Sequence, residues 1–214
     1  MTTSGRKELG AELLLTERDA LLPILRTLEP DQFDLETCCT GWAVRDVLAH
    51  CSAALTRVSS GTMHRFRPQD NEADVDERRT WPVEKILSEL TGGYERAAQA
   101  LVAAGGGFDG LALGEWVHGG DVRDAIGRDD AYASPGIDVA LLLLADQAVA
   151  RKVPLVEVTL PGQTMRLGVE GSGRPPGRLA TDEATVVRLY AGRSADPTHF
   201  RLSGAVVGEL VVFS

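Results

Sequence analysis

The sequence predicts an α+β protein in which an N-terminal four-helix bundle is followed by a small α+β domain. Two observations carry this prediction. Up to about residue 130, apolar residues recur at the three- and four-residue spacing of amphipathic helices, and four such helices form a bundle. After one more helical segment, short runs alternate apolar and polar residues, which is typical of strands. The predicted domains are therefore residues 1–130 and 131–214.

The four bundle helices are predicted from their apolar stripes and their end signals. Pro23 is expected to kink the first helix, Thr40 or Gly41 to lie near the start of the second, and Pro82 to suit the first turn of the third. The polar stretch Arg65–Arg79 is predicted to be a loop. The helices cover, approximately, residues 6–28, 40–58, 80–104 and 111–126.

The remaining third of the chain mixes helices and strands. A fifth helix is predicted over residues 137–152, and a short helix over residues 182–191 is expected to be capped by Thr181 or Asp182. The stretch Gly171–Gly177 is predicted to be a loop. The predicted strands are Leu155–Leu160, Thr164–Val169, Phe200–Leu202 and Glu209–Phe213.

Composition limits the partners and the compartment. The net charge of −9 argues against nucleic-acid and anionic-membrane partners, which need a basic surface. No apolar run approaches the roughly 18 residues of a membrane span, and the N-terminus lacks the apolar core of a signal peptide. We expect a cytoplasmic protein with a small-molecule substrate. Cys38, Cys39 and Cys51 form no disulfide framework, so reduced thiols are expected.

The fourth helix carries a polar pair on the face that should point into the bundle. Glu115 and His118 lie one turn apart there, and without partners they would cost several kcal/mol of stability. They therefore require a metal, a hydrogen-bond network or water. The residues of this face are Leu111, Glu115, His118, Val122, Ala125 and Ile126.

A second histidine, His50, lies beside the apolar stripe of the second helix. His50, Glu115 and His118 would together give a metal three ligands and leave positions open for water or substrate. The alternative is two histidines hydrogen-bonded to Asp46, Glu115 or Asp121, and spacing alone does not decide between these readings. The sequence contains no nucleophile elbow, phosphate-binding loop or dinucleotide fingerprint.

Three segments resemble a known family. TGWAVRDVLAH (Thr40–His50) and EWVHGGDVRDAIG (Glu115–Gly127) resemble two signatures of the mycothiol-dependent maleylpyruvate isomerase family, within the DinB-like superfamily of metal-binding bundles. GRLATDEATVVRLYAGR (Gly177–Arg193) resembles the sterol-carrier-protein-like domain that follows the bundle in this family. The resemblance spans nearly the whole chain, and the preference for arginine over lysine suits a GC-rich, actinobacterial source.

The resemblance implies a site and a cofactor. In the family a divalent metal, zinc or nickel here, is held by histidines that match His50 and His118 and by a carboxylate four residues before the second histidine. That place is Gly114 in this sequence, so Glu115 either replaces the carboxylate or the metal is weakened or lost. The family's catalytic arginine matches Arg193. The thiol cosubstrate implied is mycothiol.

Two functions follow from these expectations. The first is a metal-dependent, mycothiol-type thiol transferase or isomerase that acts on a small electrophile. The alternative is a non-catalytic protein that binds a small molecule or lipid-like ligand and has lost the metal, which the glycine at position 114 favours. A structural or regulatory interaction protein is a third reading, supported only by the acidic charge. The sequence predicts no oligomeric state.

Overall fold

The computed structural model describes residues 8–63, 68–171 and 173–213. Contacts within the chain divide it into two units, Met1–Gly136 and Ile137–Ser214. Helices make up the first unit, and a four-stranded sheet lies in the second. The predicted α+β fold class is therefore confirmed.

The first unit is built on four long helices. In the described residues the elements of this unit are α1 (Leu9–Leu25), a 3-10 turn (Pro30–Asp34), α2 (Val44–Ser59), α3 (Pro68–Arg78), α4 (Val83–Ala104) and α5 (Asp109–Ala125). Helices α1 and α2 both pack on α4 and α5, so these four helices form the bundle. Helix α3 lies against α2.

The bundle core is formed by the apolar stripes that the sequence shows. Pro23 lies inside α1, two residues before its end, where it removes one backbone hydrogen-bond donor from the last turn. The core side chains are almost completely buried, which provides most of the stability of amphipathic helices. They include Leu14, Leu21, Val47, Leu55, Leu90, Tyr94, Leu101, Leu111 and Val122.

The predicted loop over residues 65–79 is wrong for most of its length, because α3 (Pro68–Arg78) lies there. Its composition is so polar that apolar periodicity cannot reveal it. Val75 is its fully buried apolar anchor, and the Arg78 guanidinium binds both carboxylate oxygens of Glu89 at 2.7 and 3.0 Å. Ion pairing therefore replaces part of the apolar contact. His64 directly precedes this polar stretch, which predicts a surface position for it; the residue lies outside the described residues.

Two adjacent glycines do not interrupt α5, which is continuous through Gly119 and Gly120. A methyl group on Gly119 would overlap the carboxylate of Glu17, and one on Gly120 would lie 2.5 Å from the ring of Tyr132. The glycines are thus needed because two side chains pack directly against this face of the helix.

Replacing Gly120 by alanine should destabilise the protein by about 1–3 kcal/mol, the usual cost of overpacking a core. The added methyl group would push away the buried ring of Tyr132. Gly114→Ala is the matched control, since a methyl group there meets nothing within 4 Å and alanine favours the helix by about 1 kcal/mol. Urea unfolding of both variants measures the difference. Equal stability of the two variants would contradict the packing argument.

The second unit combines a mixed sheet with two helices. Its elements are α6 (Ile137–Ala150), β1 (Val156–Leu160), β2 (Gln163–Leu167), β3 (Gly177–Ala180), α7 (Glu183–Tyr190), β4 (Arg201–Ser203) and a 3-10 turn (Val207–Glu209). Strand β1 forms an antiparallel hairpin with β2 and pairs in parallel with β3, which pairs antiparallel with β4. Helix α6 packs on α7 and on β2. At the start of α7 the Asp182 side chain accepts a hydrogen bond from the Thr185 amide at 2.8 Å, which is the predicted cap.

The strand prediction needs two corrections. Strand β3 (Gly177–Ala180) was not predicted; it begins at the last residue of the predicted loop Gly171–Gly177. The predicted strand Glu209–Phe213 is wrong, because a 3-10 turn ends at Glu209 and the following residues join no strand. The amide of Val212 donates instead to the Tyr190 carbonyl at 2.9 Å. This segment therefore covers the end of α7 and does not extend the sheet.

Candidate functional site

Two histidine rings lie close together, edge to face, inside the bundle. His50 on α2 and His118 on α5 have ring centroids 5.1 Å apart, with the planes at 81°. Trp42, from the segment that leads into α2, lies over both, at 5.3 Å from His50 and 6.5 Å from His118. The expected approach of the two histidines is confirmed, and Trp42 shields the pair.

His50 is held as a neutral imidazole. Its side chain is almost fully buried, and burial lowers its pKa. The Nδ1 atom lies 3.8 Å from Asp74 Oδ2, too far for a hydrogen bond, and it has no hydrogen-bond partner among the described residues. The Arg57 guanidinium binds the same Asp74 oxygen at 2.6 Å. A neutral, buried imidazole nitrogen is a suitable metal ligand or proton acceptor.

His118 is oriented by a buried carboxylate. Its Nδ1 lies 2.9 Å from Asp121 Oδ2, and Asp121 is completely buried. Because a carboxylate can only accept, Nδ1 carries the proton and Nε2 keeps its lone pair, the arrangement seen in metal-binding histidines. Asp121 is thus one of the hydrogen-bond partners that spacing allowed. Asp46 instead accepts from the Ala43 amide at the start of α2.

Glu115 lies deep in the bundle beside Cys51. Burial raises the pKa of Glu115 to about 8, although the hydrogen bond with the Cys51 thiol opposes this shift. Its Oε2 atom has no hydrogen-bond partner in the described part of the chain. Since a carboxylate must lose its proton to bind a metal, an ion at Glu115 would have to displace that proton.

Two neutral imidazole nitrogens are suitable ligands for a divalent metal, and Glu115 is the predicted third ligand. The ligand atoms of His50, Glu115 and His118 do not all lie within 4.8 Å of one another; over residues 8–63, 68–171 and 173–213, the set that does is Cys38, Cys39 and Asp121. A Cβ on Gly114, where the resemblance places the carboxylate, would meet nothing within 4 Å. The predicted role of Glu115 as a ligand stays a prediction.

Sequence reasoning did not place Cys38 and Cys39 in the site. The Asp121 carboxylate accepts from the Cys38 thiol at 3.1 Å, from the Cys39 thiol at 3.2 Å and from the Tyr132 hydroxyl. Cys38 is exposed and Cys39 is half-buried, and the hydrogen bond with Cys39 lowers the pKa of the Cys38 thiol. The available signals were two adjacent cysteines shortly before the GW segment and the aspartate of the HGGD segment.

Arg193 lies in the second unit, directly after Gly192, whose positive φ of 73° follows the end of α7. Its amide donates to the Arg188 carbonyl at 2.8 Å, and Nη1 donates to the Ala191 carbonyl at 3.2 Å. The catalytic role of Arg193 stays a prediction from the resemblance.

These features define a helical bundle with a histidine site in its interior. Residues 14–107 match the family model of the mycothiol maleylpyruvate isomerase N-terminal domain, which confirms the predicted family resemblance. The matched segment includes His50 and ends before α5, which carries Glu115 and His118.

Solved structures extend the likeness over nearly the whole chain. A crystal structure of the mycothiol-dependent maleylpyruvate isomerase is 16% identical with a TM-score of 0.64, covering 96% of this chain and 98% of that one. The crystal structure of a histidine-to-alanine mutant of the mycothiol-dependent maleylpyruvate isomerase is 15% identical to this chain, with a TM-score of 0.63 and the same coverage of both chains. At these identities the likeness establishes the fold. No curated protein matches the sequence. Within the described residues, no helix is long and apolar enough to cross a membrane.

Proposed function

We propose that the protein catalyses a thiol-dependent isomerisation or transfer on a small electrophile, with a mycothiol-type thiol as cosubstrate. The observation that carries this proposal is the close pair of His50 and His118 imidazoles, whose ring centroids are 5.1 Å apart. The pair lies inside a bundle of the maleylpyruvate isomerase fold. The similar structures are named as mycothiol-dependent enzymes, which supports the choice of thiol.

The proposal includes a divalent ion, zinc or nickel, bound at His50 and His118, because imidazole suits both metals. Such an ion would favour the thiolate form of the cosubstrate. Glu115 is the proposed third ligand, provided that it loses the proton that burial stabilises. The remaining positions would be open to the thiol and to water.

The residues around the pair prepare it for this role. Asp121 holds the proton on His118 Nδ1 and so directs the Nε2 lone pair away from itself. Burial keeps His50 neutral. Trp42 lies against both rings and limits the access of water. From the resemblance, we propose that Arg193 binds a carboxylate of the substrate through its planar guanidinium.

The test is an assay with purified protein, loaded with zinc or nickel, with mycothiol and with maleylpyruvate as the first electrophile. We expect turnover that requires the thiol, and a loss of about 100-fold or more in kcat/KM for His50→Asn and His118→Asn, a scale typical of groups at the reacting centre. Arg193→Gln should raise KM for carboxylate substrates.

His199→Asn provides the matched control, since His199 is an exposed histidine in the second unit. It should leave the rate unchanged. Full activity in His50→Asn would overturn the proposed site. Binding of the thiol without metal and without turnover of any electrophile would favour the ligand-binding alternative.

A further inference from the structure

A second set of metal-ligand atoms lies on the Asp121 side of His118. The Cys38 and Cys39 sulfurs approach the two different oxygens of Asp121 at 3.1 and 3.2 Å, and all three ligand atoms lie within 4.8 Å of one another. His118 Nδ1 lies beside this set, at 3.9 Å from Cys39 Sγ and 2.9 Å from Asp121 Oδ2. Two sulfurs and one oxygen are thus close enough together to bind a single ion.

We propose that Cys38, Cys39 and Asp121 form a binding site for a thiophilic divalent cation of the zinc class, with water in the fourth position. Thiolate ligands in a tetrahedral arrangement select zinc among the common cations. The site includes neither the His50–His118 pair nor Glu115. It therefore does not depend on the proposed function.

The distances match such an ion. Zinc bonds of about 2.3 Å to sulfur and about 2.0–2.1 Å to nitrogen or oxygen place tetrahedral ligand atoms roughly 3.3–3.8 Å apart. The sulfur–oxygen separations of 3.1 and 3.2 Å differ from this range by a few tenths of an ångström. Small side-chain movements would therefore be enough to close the ligands around an ion.

The cysteine loop is fixed before any ion binds. The Thr37 hydroxyl donates to the Trp42 carbonyl at 2.8 Å and accepts from the Cys39 amide at 3.1 Å. The Thr37 amide also donates to the Trp42 carbonyl. Because both ends of the loop are tied together, the two thiols are presented side by side, which lowers the entropy cost of ligation.

The surroundings also suit an ion. Binding would release the two thiol protons to solvent, which Cys38 reaches because it is exposed, and two thiolates with one carboxylate more than neutralise a divalent charge. The Tyr132 hydroxyl donates to Asp121 Oδ1 and would orient that ligand from outside the coordination sphere.

Cobalt(II) substitution tests this site without any activity measurement. We expect the reduced wild-type protein to bind one equivalent with a thiolate-to-cobalt charge-transfer absorption, which added zinc abolishes. Cys38→Ser and Cys39→Ser should lose this absorption and weaken zinc binding by more than the roughly 10–100-fold that loss of an outer-shell partner costs. Cys51→Ser, the matched control with the third cysteine, and His50→Asn should retain it.

A wild-type protein without thiolate absorption, or absorption that persists in the Cys38→Ser/Cys39→Ser double variant, would overturn the proposal. Serine keeps a hydroxyl that can donate to Asp121, so these variants should fold. A second measurement needs no variant: zinc should protect Cys38 and Cys39 of the wild-type protein from alkylation, as located by peptide mass spectrometry. Equal labelling with and without zinc would also contradict the site.

Discussion

Replacing Glu17 by leucine is expected to lower the free energy of unfolding by about 3–5 kcal/mol, the cost of removing one partner from a buried ion pair. Glu17 on α1 and Arg123 on α5 are both completely buried. Arg123 and Glu17 form a bidentate ion pair, with nitrogen–oxygen distances of 2.7 and 3.2 Å. Without the carboxylate, the guanidinium would remain in the core with its charge uncompensated.

Urea unfolding at neutral pH measures this loss. Glu95→Gln is the matched control, because Glu95 is an exposed glutamate paired with Arg18, and exposed pairs contribute about 0–1 kcal/mol. The double variant Glu17→Leu/Arg123→Leu should recover much of the stability, since an apolar pair removes the buried charge. A loss for Glu17→Leu no larger than that for Glu95→Gln would show that water reaches Arg123.

The bundle helices could be predicted because their stripes are long and strongly apolar. The same method failed for α3, where Val75 is a fully buried apolar side chain and ion pairs such as that between Arg78 and Glu89 attach the helix to the bundle. It also misassigned residues 209–213, because burial of Leu210 and Val212 against other elements gives the same alternation as a strand. The periodicity of apolar residues shows which side chains are buried, and it does not show which element they pack against.

The contacts of the candidate site also include some that the sequence predicts and some that it does not. His50 and His118 could be paired from the helix faces and the resemblance, because both faces point into one bundle. The contact of Cys38 and Cys39 with Asp121 could not, since it joins a loop to a helix over 83 and 82 residues of sequence. Likewise, the sequence gives no reason for the adjacent glycines 119 and 120 inside a helix, and only the positions of Glu17 and Tyr132 show why α5 needs them.

Introducing glutamate at position 114 is expected to raise the affinity for zinc or nickel by at least about tenfold, the lower end of the effect of supporting interactions at metal sites. The resemblance places the family's carboxylate there, one helical turn before His118, where residues four apart share a face. A side chain has room to enter, because a Cβ at this position meets nothing within 4 Å. The change also replaces a helix-interior glycine, which favours α5 by up to about 1 kcal/mol.

Gly114→Gln separates ligation from helix stability, since the amide has the same size and a similar helix propensity but no charge. Calorimetric titration should show tighter metal binding than in the wild-type protein for Gly114→Glu and not for Gly114→Gln. Without metal, the two variants should unfold at similar midpoints. Adding Glu115→Gln decides which carboxylate binds in the native chain. Residues 114 and 115 lie about 100° apart around the helix axis. If Glu115 is the ligand, Glu115→Gln should therefore abolish metal binding; if only the family's position can hold a ligand, Glu115→Gln should leave the affinity unchanged and Gly114→Glu alone should raise it. Equal affinities for the glutamate and glutamine variants would contradict a metal at His50 and His118 in the family's geometry.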